Sequence, residues 1–480
     1  MSQRVLVNGW GQSMEPMDEQ LSLGSHGDTL VLTLDAQIQH FAETALARQV
    51  EALHAKGGIC VAMDPKSGDI LAAASYPSFI PDDPKTRQGE AMRNRAVLDA
   101  HQPGSVMKIF TYATALELNL ISPTATIDCE GGRYSFSDGR SRRSVSDSHP
   151  LGIVTYREAF AESSNIAAVK IGMDIPPEAF WAKLVQLGLT NPAGLNFPGE
   201  RAGHLTPLPW SFFTRTSVPF GYEIEMNAIQ LTACAAAVAN GGVKMKPRLV
   251  DRIISPEGVV VERFKPKSEG QMFAPLTCQI MMELMEAVVE EGTGKGRAEV
   301  EGYRVAGKTG TMRKLPAEPP RYVASFLGIL PVSDPQLAIF CSIDEPIAEN
   351  ERFYGGSAAA PVFREVAEQA ARLLGIPPDQ PSQRPQFAED FALEPVTIEE
   401  PDAQNEMSAA GEAAVCRMPD LSSMTMREVK EALSEALRAT PSIRVNSRFY
   451  GSGEVVRQDP PPDTPLRDRQ EISVQFASGT

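Results

Sequence analysis

The sequence SVMK at residues 105–108, preceded by QPG at residues 102–104, decides how this chain is interpreted. An apolar pattern of helical spacing comes after it, so Ser105 is predicted to lie in the first turn of a helix. Lys108 then lies one turn later on the same helix face. A serine hydroxyl is a poor nucleophile until a base removes its proton. The stretch therefore predicts Ser105 as a nucleophile and Lys108 as its base.

A second signal, SSN at residues 163–165, precedes an apolar helical run. From the start of such a helix, Ser163 can relay a proton, and Asn165 can hold Lys108 and a substrate amide with its acceptor and donor. The alternative is that Ser163 or Ser164 only caps the helix.

The third signal, KTGT at residues 308–311, falls in a segment with β-type composition. Lys308 supplies positive charge, and Thr309 and Thr311 supply hydroxyl groups. Gly310 has no Cβ, so we expect it to let an extended acyl substrate approach the backbone closely.

These three signals together predict an acyl-transfer site. Lys108 must be neutral to act as a base, so we expect burial and the nearby charge of Lys308 to lower its pKa from about 10.4 toward 7 or 8. The backbone N–H groups of Ser105 and Thr311 are the predicted oxyanion donors.

The β-type segments occur at both ends of a long region. Residues 59–63 and 70–75 form one predicted hairpin, and residues 322–330 and 337–343 form another, with a further run at 304–311. This pattern predicts an antiparallel sheet built from both ends of the region.

A helix is predicted over residues 35–54, and a mostly helical insertion over about residues 104–298. The first two signals lie in the insertion and the third lies on the sheet. The predicted fold class is therefore α+β, with the active site between a central antiparallel sheet and a helical lobe.

The composition after residue 376 shifts to Pro, Gln, Glu and Ala with little periodicity, which is typical of a disordered linker. A helix with Val429, Leu433 and Leu437 is predicted after it. Two β-type stretches around Arg444 and Val455 and a last strand over residues 472–476 complete a small α+β module.

Charge and composition exclude several kinds of partner. The net charge is −16, with 45 Lys and Arg against 61 Asp and Glu, which disfavours nucleic acid. No apolar run approaches the roughly 18 residues of a membrane-spanning helix.

The cysteines and histidines show no pattern of a metal site. Cys60, Cys234 and Cys341 lie in apolar runs and are predicted to be buried free thiols. The histidines show no metal-ligand spacing, so neither a metal site nor a cofactor is predicted.

Residues 302–309, GYRVAGKT, match the phosphate-loop pattern at each fixed position. That motif needs a strand before it and a helix after it. Here the β-type residues lie within the motif, and the prolines beyond it disfavour a helix. We therefore predict no nucleotide binding.

In these three motifs, the chain resembles the class B, monofunctional penicillin-binding proteins, closest to the division-type D,D-transpeptidases, over about residues 31–375. Beyond the three motifs, the resemblance rests on short matches spread along that range, which are Asp64-Pro65, Gly68, Ile70-Leu71-Ala72, Ser75, Pro77, Asn94-Arg95-Ala96, Phe220-Gly221, Glu291-Gly292-Thr293-Gly294-Lys295, Tyr354-Gly355-Gly356 and Ala360-Pro361-Val362-Phe363. Residues 417–478 resemble a PASTA module.

This resemblance implies the fold shared by penicillin-binding proteins and serine β-lactamases. It implies that Ser105 attacks the penultimate D-alanine carbonyl of a peptidoglycan stem peptide, that an amine of a neighbouring strand resolves the ester, and that β-lactams acylate Ser105. Lys308, Thr309 and Thr311 would bind the terminal carboxylate. A membrane glycosyltransferase and division proteins are the implied partners, and the extracytoplasmic face of the bacterial membrane is the implied location.

The predicted domains are a remnant of an N-terminal junction at residues 1–30, the transpeptidase domain at 31–375, the linker at 376–416 and the PASTA-like module at 417–478. The membrane anchor and pedestal domain usual in the family are missing, so the chain is either a fragment or has a start upstream. The segment 223–228 also lacks the Thr-Pro usual in the family.

Two alternative functions stay open, and a third is disfavoured. A D,D-carboxypeptidase uses the same residues with water as acceptor. A non-catalytic sensor of β-lactams or muropeptides would use the PASTA-like module as its working part. A β-lactamase is disfavoured, because Pro192 stands where the glutamate of its deacylation motif would be.

Overall fold

The computed structural model describes residues 27–195, 197–314, 320–347 and 353–380 and, nearer the C-terminus, 417–424, 428–429, 432–433, 436, 445–450, 455–466 and 470–476. These residues belong to two compact units that divide at Pro385, which we call the large unit and the small unit. Most of the predicted linker, residues 381–416, and most of the predicted junction remnant, residues 1–26, lie outside the described residues.

The strands of the large unit are, in chain order, β1 (Thr29–Leu32), β2 (Gly57–Met63), β3 (Ile70–Tyr76), β4 (Ala100–His101), β5 (Thr126–Asp128), β6 (Arg133–Ser137), β7 (Arg142–Ser146), β8 (Ile153–Thr155), β9 (His204–Leu205), β10 (Ile224–Asn227), β11 (Val243–Met245), β12 (Val250–Ile254), β13 (Val260–Arg263), β14 (Ser268–Gln271), β15 (Ala306–Lys314), β16 (Arg321–Leu330) and β17 (Leu337–Asp344). Its α-helices are α1 (Ala36–Ala52), α2 (Arg95–Leu98), α3 (Lys108–Glu117), α4 (Tyr156–Ala161), α5 (Asn165–Asp174), α6 (Pro177–Gln186), α7 (Phe212–Ser217), α8 (Ala228–Ala239), α9 (Pro275–Glu290), α10 (Gly355–Ala358) and α11 (Ala360–Leu373).

The central sheet has the strand order β15-β16-β17-β2-β3, and each neighbouring pair is antiparallel. Both predicted hairpins are present, and the pairing of β17 with β2 joins the two ends of the region, with Cys341 directly opposite Cys60. The predicted sheet is therefore confirmed. Strand β15, which carries the KTGT signal, lies at one edge of it.

The two faces of the sheet pack into two different cores. On one face, Phe326 and Ile339 pack with α1 and α11. On the other face, Leu327 and Phe340 pack with residues of α3, α8 and α9. Successive side chains of a strand point to opposite faces, so a strand covered on both sides has a nearly continuous apolar sequence. This explains why these strands were recognisable in the sequence.

Helix α1 agrees with the prediction for residues 35–54. Asp35 is its N-cap, and the carboxylate accepts hydrogen bonds from the backbone N–H groups of Gln37 and Ile38. The apolar face of α1 then buries Ile38 and Leu46 against the sheet.

The predicted helical insertion, residues 104–298, contains helices α3 to α9. It also contains short strands, of which the β6–β7 hairpin matters most for the site described below. These two strands consist largely of Arg and Ser residues, and exposed positions alternate in them with partly buried or buried ones. They lack the apolar runs by which the central strands were found.

The small unit contains strands β18 (Val445–Tyr450), β19 (Val455–Asp459) and β20 (Gln470–Phe476). They pair in the order β18-β20-β19, with β18 parallel and β19 antiparallel to β20. Val429 and Leu433 lie in helical residues and pack in its core. The predicted α+β character is present, while Leu437 and Arg444 lie outside the described residues.

Two further sequence expectations concern the described residues. Cys60, Cys129, Cys234, Cys278 and Cys341 are buried free thiols there. Among the helices of the described ranges, none has the length and apolar character required to cross a bilayer.

The packing of α11 on the sheet depends on Gly328. A Cβ atom at this position would lie 2.3 Å from the nearest ring atom of Phe363. We expect Gly328→Ala to destabilise the large unit by about 1–3 kcal/mol, because the buried ring has no space to move into. Gly152→Ala is the matched control, since nothing lies within 4 Å of a Cβ there. Thermal unfolding of both variants tests this, and equal melting temperatures would contradict it.

Candidate active site

A cavity of about 320 Å³ lies between the edge of the sheet and the helical insertion. Its wall includes Ser105, Ser163, Asn165, Thr309 and Thr311. Residues of all three sequence signals therefore meet in one place, although they are far apart in the chain.

Ser105 lies in a 3₁₀ turn, Gly104–Met107, that continues directly into α3. It is partly exposed, whereas the residues around it are buried. Gly104 has φ of 55°, a left-handed conformation that glycine adopts without strain. Its backbone also lies so close to Gly221 that a Cβ on Gly221 would be 2.1 Å from the Gly104 carbonyl oxygen. The two glycines fix the turn that presents the Ser105 hydroxyl.

Lys108 is fully buried beside this turn. Its Nζ donates to the carbonyl oxygen of Ser163 at 2.6 Å and to Asn165 Oδ1 at 2.8 Å, and it lies 3.2 Å from Ser163 Oγ. The orientation of the Asn165 amide is fixed by its other contact, because Nδ2 donates to the Ser146 carbonyl at 3.0 Å.

This set of contacts suits a neutral amine. A neutral lysine amine has two N–H donors and one lone pair. The Ser163 carbonyl and Asn165 Oδ1 are acceptors and use both donors, so the lone pair is available to a hydroxyl group. Within the described residues, the hydrogen bonds of the Lys108 amine go to Ser163 and Asn165 and none goes to Ser105.

Burial lowers the pKa of Lys108 from 10.5 to about 7, and the negative charge of Asp147 opposes this effect. The predicted lowering of the Lys108 pKa is therefore present. The charge of Lys308, which we expected to contribute to it, is not among its causes. Burial and the charge of Lys108 together hold the pKa of Lys308 well below its usual value. The lowering at Lys108 therefore comes from desolvation rather than from the charge of Lys308.

The three residues of the SSN signal have separate roles. Ser164 is the N-cap of α5, because its Oγ accepts from the Ala167 backbone N–H at 3.0 Å. Ser163 has φ of 58°, outside the helix, and directs its carbonyl and hydroxyl toward Lys108. Ser164 therefore caps the helix, and Ser163 contacts the Lys108 amine instead.

Asp147 supports this arrangement, and sequence reasoning missed it. Its carboxylate accepts from Ser164 Oγ at 2.6 Å and from the backbone N–H groups of Asn165 at 2.5 Å and Ile166 at 3.1 Å. The negative charge lies at the N-terminus of α5, where it is favoured. No local pattern around Asp147 marks this role, because it arises from the packing of the β6–β7 hairpin against α5.

On β15, alternate residues face opposite ways. Thr309 and Thr311 line the cavity, and their hydroxyls contact Thr293 Oγ1 at 2.6 Å and the Gly355 backbone N–H at 3.1 Å. Lys308 is fully buried, with its Nζ 5.5 Å from the centre of the Phe160 ring, and it does not line the cavity. The expectation of a direct Lys308 contact with a substrate carboxylate therefore does not fit its position.

The role expected for Gly310 is also corrected. A Cβ atom there would lie 2.3 Å from Ser325 Oγ, 3.1 Å from Val106 and 3.3 Å from the Pro103 carbonyl oxygen. The space beside Gly310 is thus filled by the protein itself. This glycine lets the segment that carries the nucleophile pack on the strand, rather than making room for a substrate.

Other cavity residues carried no recognisable signal. Arg297 lines the cavity as a cation and donates to Ser357 Oγ. Glu162 and His149 line it as well. Residues 302–309, which match the phosphate-loop pattern, run into strand β15 instead of opening a helix, so their geometry does not form a phosphate cradle.

Comparison of this chain with known proteins identifies two protein families that it matches. Residues 58–368 match the penicillin binding protein transpeptidase domain, and residues 417–478 match the PASTA domain. This chain belongs to the penicillin-binding protein transpeptidase family. The predicted resemblance and the predicted fold class are confirmed.

Curated relatives of this penicillin-binding protein are named as transpeptidases. It is 32% identical to a probable peptidoglycan D,D-transpeptidase PbpC of Pseudomonas aeruginosa, over 75% of this chain and 61% of that protein. It is 30% identical to a probable peptidoglycan D,D-transpeptidase PenA of Neisseria flavescens, over 78% of this chain and 91% of that protein. The match thus spans less than two thirds of the Pseudomonas protein.

Solved structures resemble this penicillin-binding protein over about three quarters of its chain. The TP domain of penicillin-binding protein 3 from Burkholderia pseudomallei is 30% identical with a TM-score of 0.63, covering 73% of this chain and 98% of that one. Penicillin binding protein 3 from Mycobacterium tuberculosis, complexed with aztreonam, is 29% identical with a TM-score of 0.68, covering 78% and 88%.

The hydrogen bond from Lys108 to Asn165 Oδ1 makes the lysine pKa sensitive to this side chain. We expect Asn165→Asp to raise the pKa of Lys108 by about 1–3 units, because a carboxylate would replace the amide next to the buried amine. The amine would then stay charged at pH 7.

The pH dependence of the Lys108 side-chain nitrogen shift, measured by NMR with labelled lysine, tests this. Asn119→Asp, at an exposed position just beyond the C-terminal end of α3, makes the same charge change and should leave the pKa of Lys108 at about 7. A wild-type Lys108 that titrates near 10 would contradict the assignment.

Proposed function

We propose that this chain is a peptidoglycan D,D-transpeptidase that cross-links stem peptides through an acyl-enzyme at Ser105. The observation that carries the proposal is the buried Lys108 amine, with a pKa of about 7 and two fixed acceptors, beside a partly exposed serine. The names of the curated relatives support the same reaction class.

In the acylation step, neutral Lys108 accepts the proton of Ser105, either directly or through the Ser163 hydroxyl. Ser105 Oγ then forms a bond to the penultimate D-alanine carbonyl carbon. The backbone N–H groups of Ser105 and Thr311 stabilise the oxyanion, and such a donor typically contributes about 3 kcal/mol. The C–N bond breaks, Lys108 returns its proton to the leaving amine, and D-alanine departs.

In the transfer step, the amine of a neighbouring stem peptide attacks the ester carbonyl. Lys108 accepts a proton from that amine, and the proton returns to Ser105 Oγ as the ester bond breaks. The product is an amide cross-link, and the serine is restored.

The terminal carboxylate of the donor is proposed to lie against the hydroxyls of Thr309 and Thr311, with Arg297 as a cation of the same cavity. Lys308 keeps a proposed catalytic role, although its buried side chain does not line the cavity. A bound carboxylate would favour the charged form of this buried lysine, so substrate binding and protonation of Lys308 would support each other.

We further propose that β-lactams acylate Ser105, since a relative has been solved in complex with aztreonam. The proposed location is the extracytoplasmic face of the bacterial membrane, with a role in septal wall synthesis. A membrane glycosyltransferase and division proteins remain proposed partners on the family resemblance alone. The proposed organisation is a transpeptidase domain at residues 31–375, a linker at 376–416 and a PASTA module at 417–478, after the junction remnant at 1–30.

Two alternatives differ from this proposal in the fate of the bound ligand. A D,D-carboxypeptidase would use the same residues and transfer the acyl group to water. A non-catalytic sensor would bind a β-lactam or muropeptide without turnover, and the site around Lys108 would then have no catalytic use.

Covalent labelling by a fluorescent penicillin tests the acyl-enzyme. We expect the wild type to be labelled and Ser105→Ala to lose the label, because no oxygen remains to form the ester. Ser148→Ala removes an exposed hydroxyl from the same cavity and should keep it. The readout is fluorescence of the denatured chain in a gel. Label that persists on Ser105→Ala would refute the role of this serine.

The products distinguish transfer from hydrolysis. We expect D-alanine release to be accompanied by a cross-linked dimer when stem peptides with a free acceptor amine are supplied, because the ester is resolved by that amine. Chromatography with mass spectrometry measures both products. D-alanine without dimer would favour the carboxypeptidase, and no D-alanine would favour the sensor.

A further inference from the structure

We propose that Arg143 is a binding site for a carboxylate group on the substrate, separate from the cavity that holds the scissile bond. The inference rests on the proposed function and names an additional chemical feature of the substrate.

Arg143 lines a second, more open cavity of about 980 Å³. This cavity shares Asn165, Phe220 and Tyr222 with the cavity of Ser105. A ligand bound as an ester to Ser105 can therefore extend past Asn165 into the space in front of Arg143. The residue lies on β7, the strand that leads directly into Asp147.

The guanidinium group is held in place by one of its nitrogens. The two N–H groups of Nη1 are shared among three acceptors, which are the Phe213 carbonyl at 2.8 Å, Thr216 Oγ1 at 2.6 Å and Ser217 Oγ at 2.8 Å. The central carbon lies 5.8 Å from the ring centre of Phe213 and 5.7 Å from that of Phe220. A side chain fixed in this way loses little conformational entropy when it binds a ligand.

The other edge of the group remains available. Nε and Nη2 carry three N–H donors, and neither makes a hydrogen bond within the described residues. These two nitrogens lie along the same edge of the planar guanidinium group. They form the fork that binds both oxygens of a carboxylate.

The charge of Arg143 also has no direct counter-ion within the described ranges. All its contacts above are to neutral groups, and among the residues that the structure describes it forms no ion pair. In contrast, the buried Arg95 and the partly buried Arg248 are paired with Asp344 and Asp69. Burial lowers the pKa of Arg143, and the more distant charge of Glu223 opposes this. A half-buried cation without a paired carboxylate is costly, and a substrate carboxylate would compensate it.

The carboxylate could belong to the donor peptide, upstream of the scissile bond, or to the acceptor, next to the attacking amine. Both are the same ligand chemistry, so the experiment has one arm for each. A structural role, in which Arg143 only ties β7 to the end of α7, would affect all ligands equally.

The donor arm compares two D-alanyl thioesters that differ in one group, an upstream side chain that ends in a carboxylate or in the corresponding amide. Thiol release gives kcat/KM for each. The acceptor arm uses the amide donor with D-alanine or D-alaninamide as acceptor, and the yield of aminolysis product is measured. Both arms are run with the full chain and with the variants Arg143→Gln, Arg143→Lys and Arg142→Gln.

Arg142→Gln is the matched control, because it removes the same charge one residue away on the opposite, exposed face of β7. We expect Arg143→Gln to lower the ratio of carboxylate to amide rates by about tenfold or more in one arm, since a charge-assisted bidentate contact is lost. Arg143→Lys should retain part of the ratio, and Arg142→Gln should leave it unchanged.

A change confined to the donor arm identifies the donor, and a change confined to the acceptor arm identifies the acceptor. Both results support the proposal. An unchanged ratio in both arms, or an equal loss for carboxylate and amide ligands, would overturn it while wild-type thiol release still supported the acyl-enzyme. No thiol release from the wild type would overturn the proposed function as well.

Discussion

The geometry of the whole site depends on how the buried amine of Lys108 is hydrogen-bonded. Lys108 has no exposed surface, yet its Nζ meets the Ser163 carbonyl and Asn165 Oδ1. These contacts satisfy the two N–H groups of a neutral amine, and burial disfavours the charged form. Helix α5 must therefore start at a fixed position relative to α3. Asp147 fixes that start by binding the first turn of α5 and the Ser164 hydroxyl.

Close approach of backbone segments is the second requirement. The turn that holds Ser105 lies between Gly221 on one side and Gly310 on the other, and a Cβ at either glycine would overlap with neighbouring atoms. A Cβ at Gly355 would likewise lie 2.4 Å from the Gly310 carbonyl oxygen. The nucleophile, the edge strand and α10 thus meet through small residues, which keeps Ser105 next to Thr311 without large side chains in between.

The central sheet and the main motifs were predictable because their causes are local. Strands such as β16 and β17 are apolar on both faces, and α1 has a regular apolar stripe with Asp35 before it. The remaining features depend on contacts between distant segments. The carboxylate of Asp147, the guanidinium of Arg297 and the polar β6–β7 hairpin have no distinctive sequence neighbourhood. The burial of Lys308 and the packing around Gly310 likewise result from how the insertion covers the strand, which the motif itself does not encode.

The sheet takes strands from both ends of the large unit, and this order has a consequence for synthesis of the chain. The thiols of Cys60 and Cys341, on the paired strands β2 and β17, are 281 positions apart in sequence. The early hairpin of β2 and β3 must stay without its neighbour until β17 has been made. Contacts of such long range slow folding, and an unpaired strand edge invites association with other chains. Until β17 is in place, the unpaired edge of β2 is therefore open to pairing with other chains, so the last strand of the sheet also protects the first hairpin from aggregation.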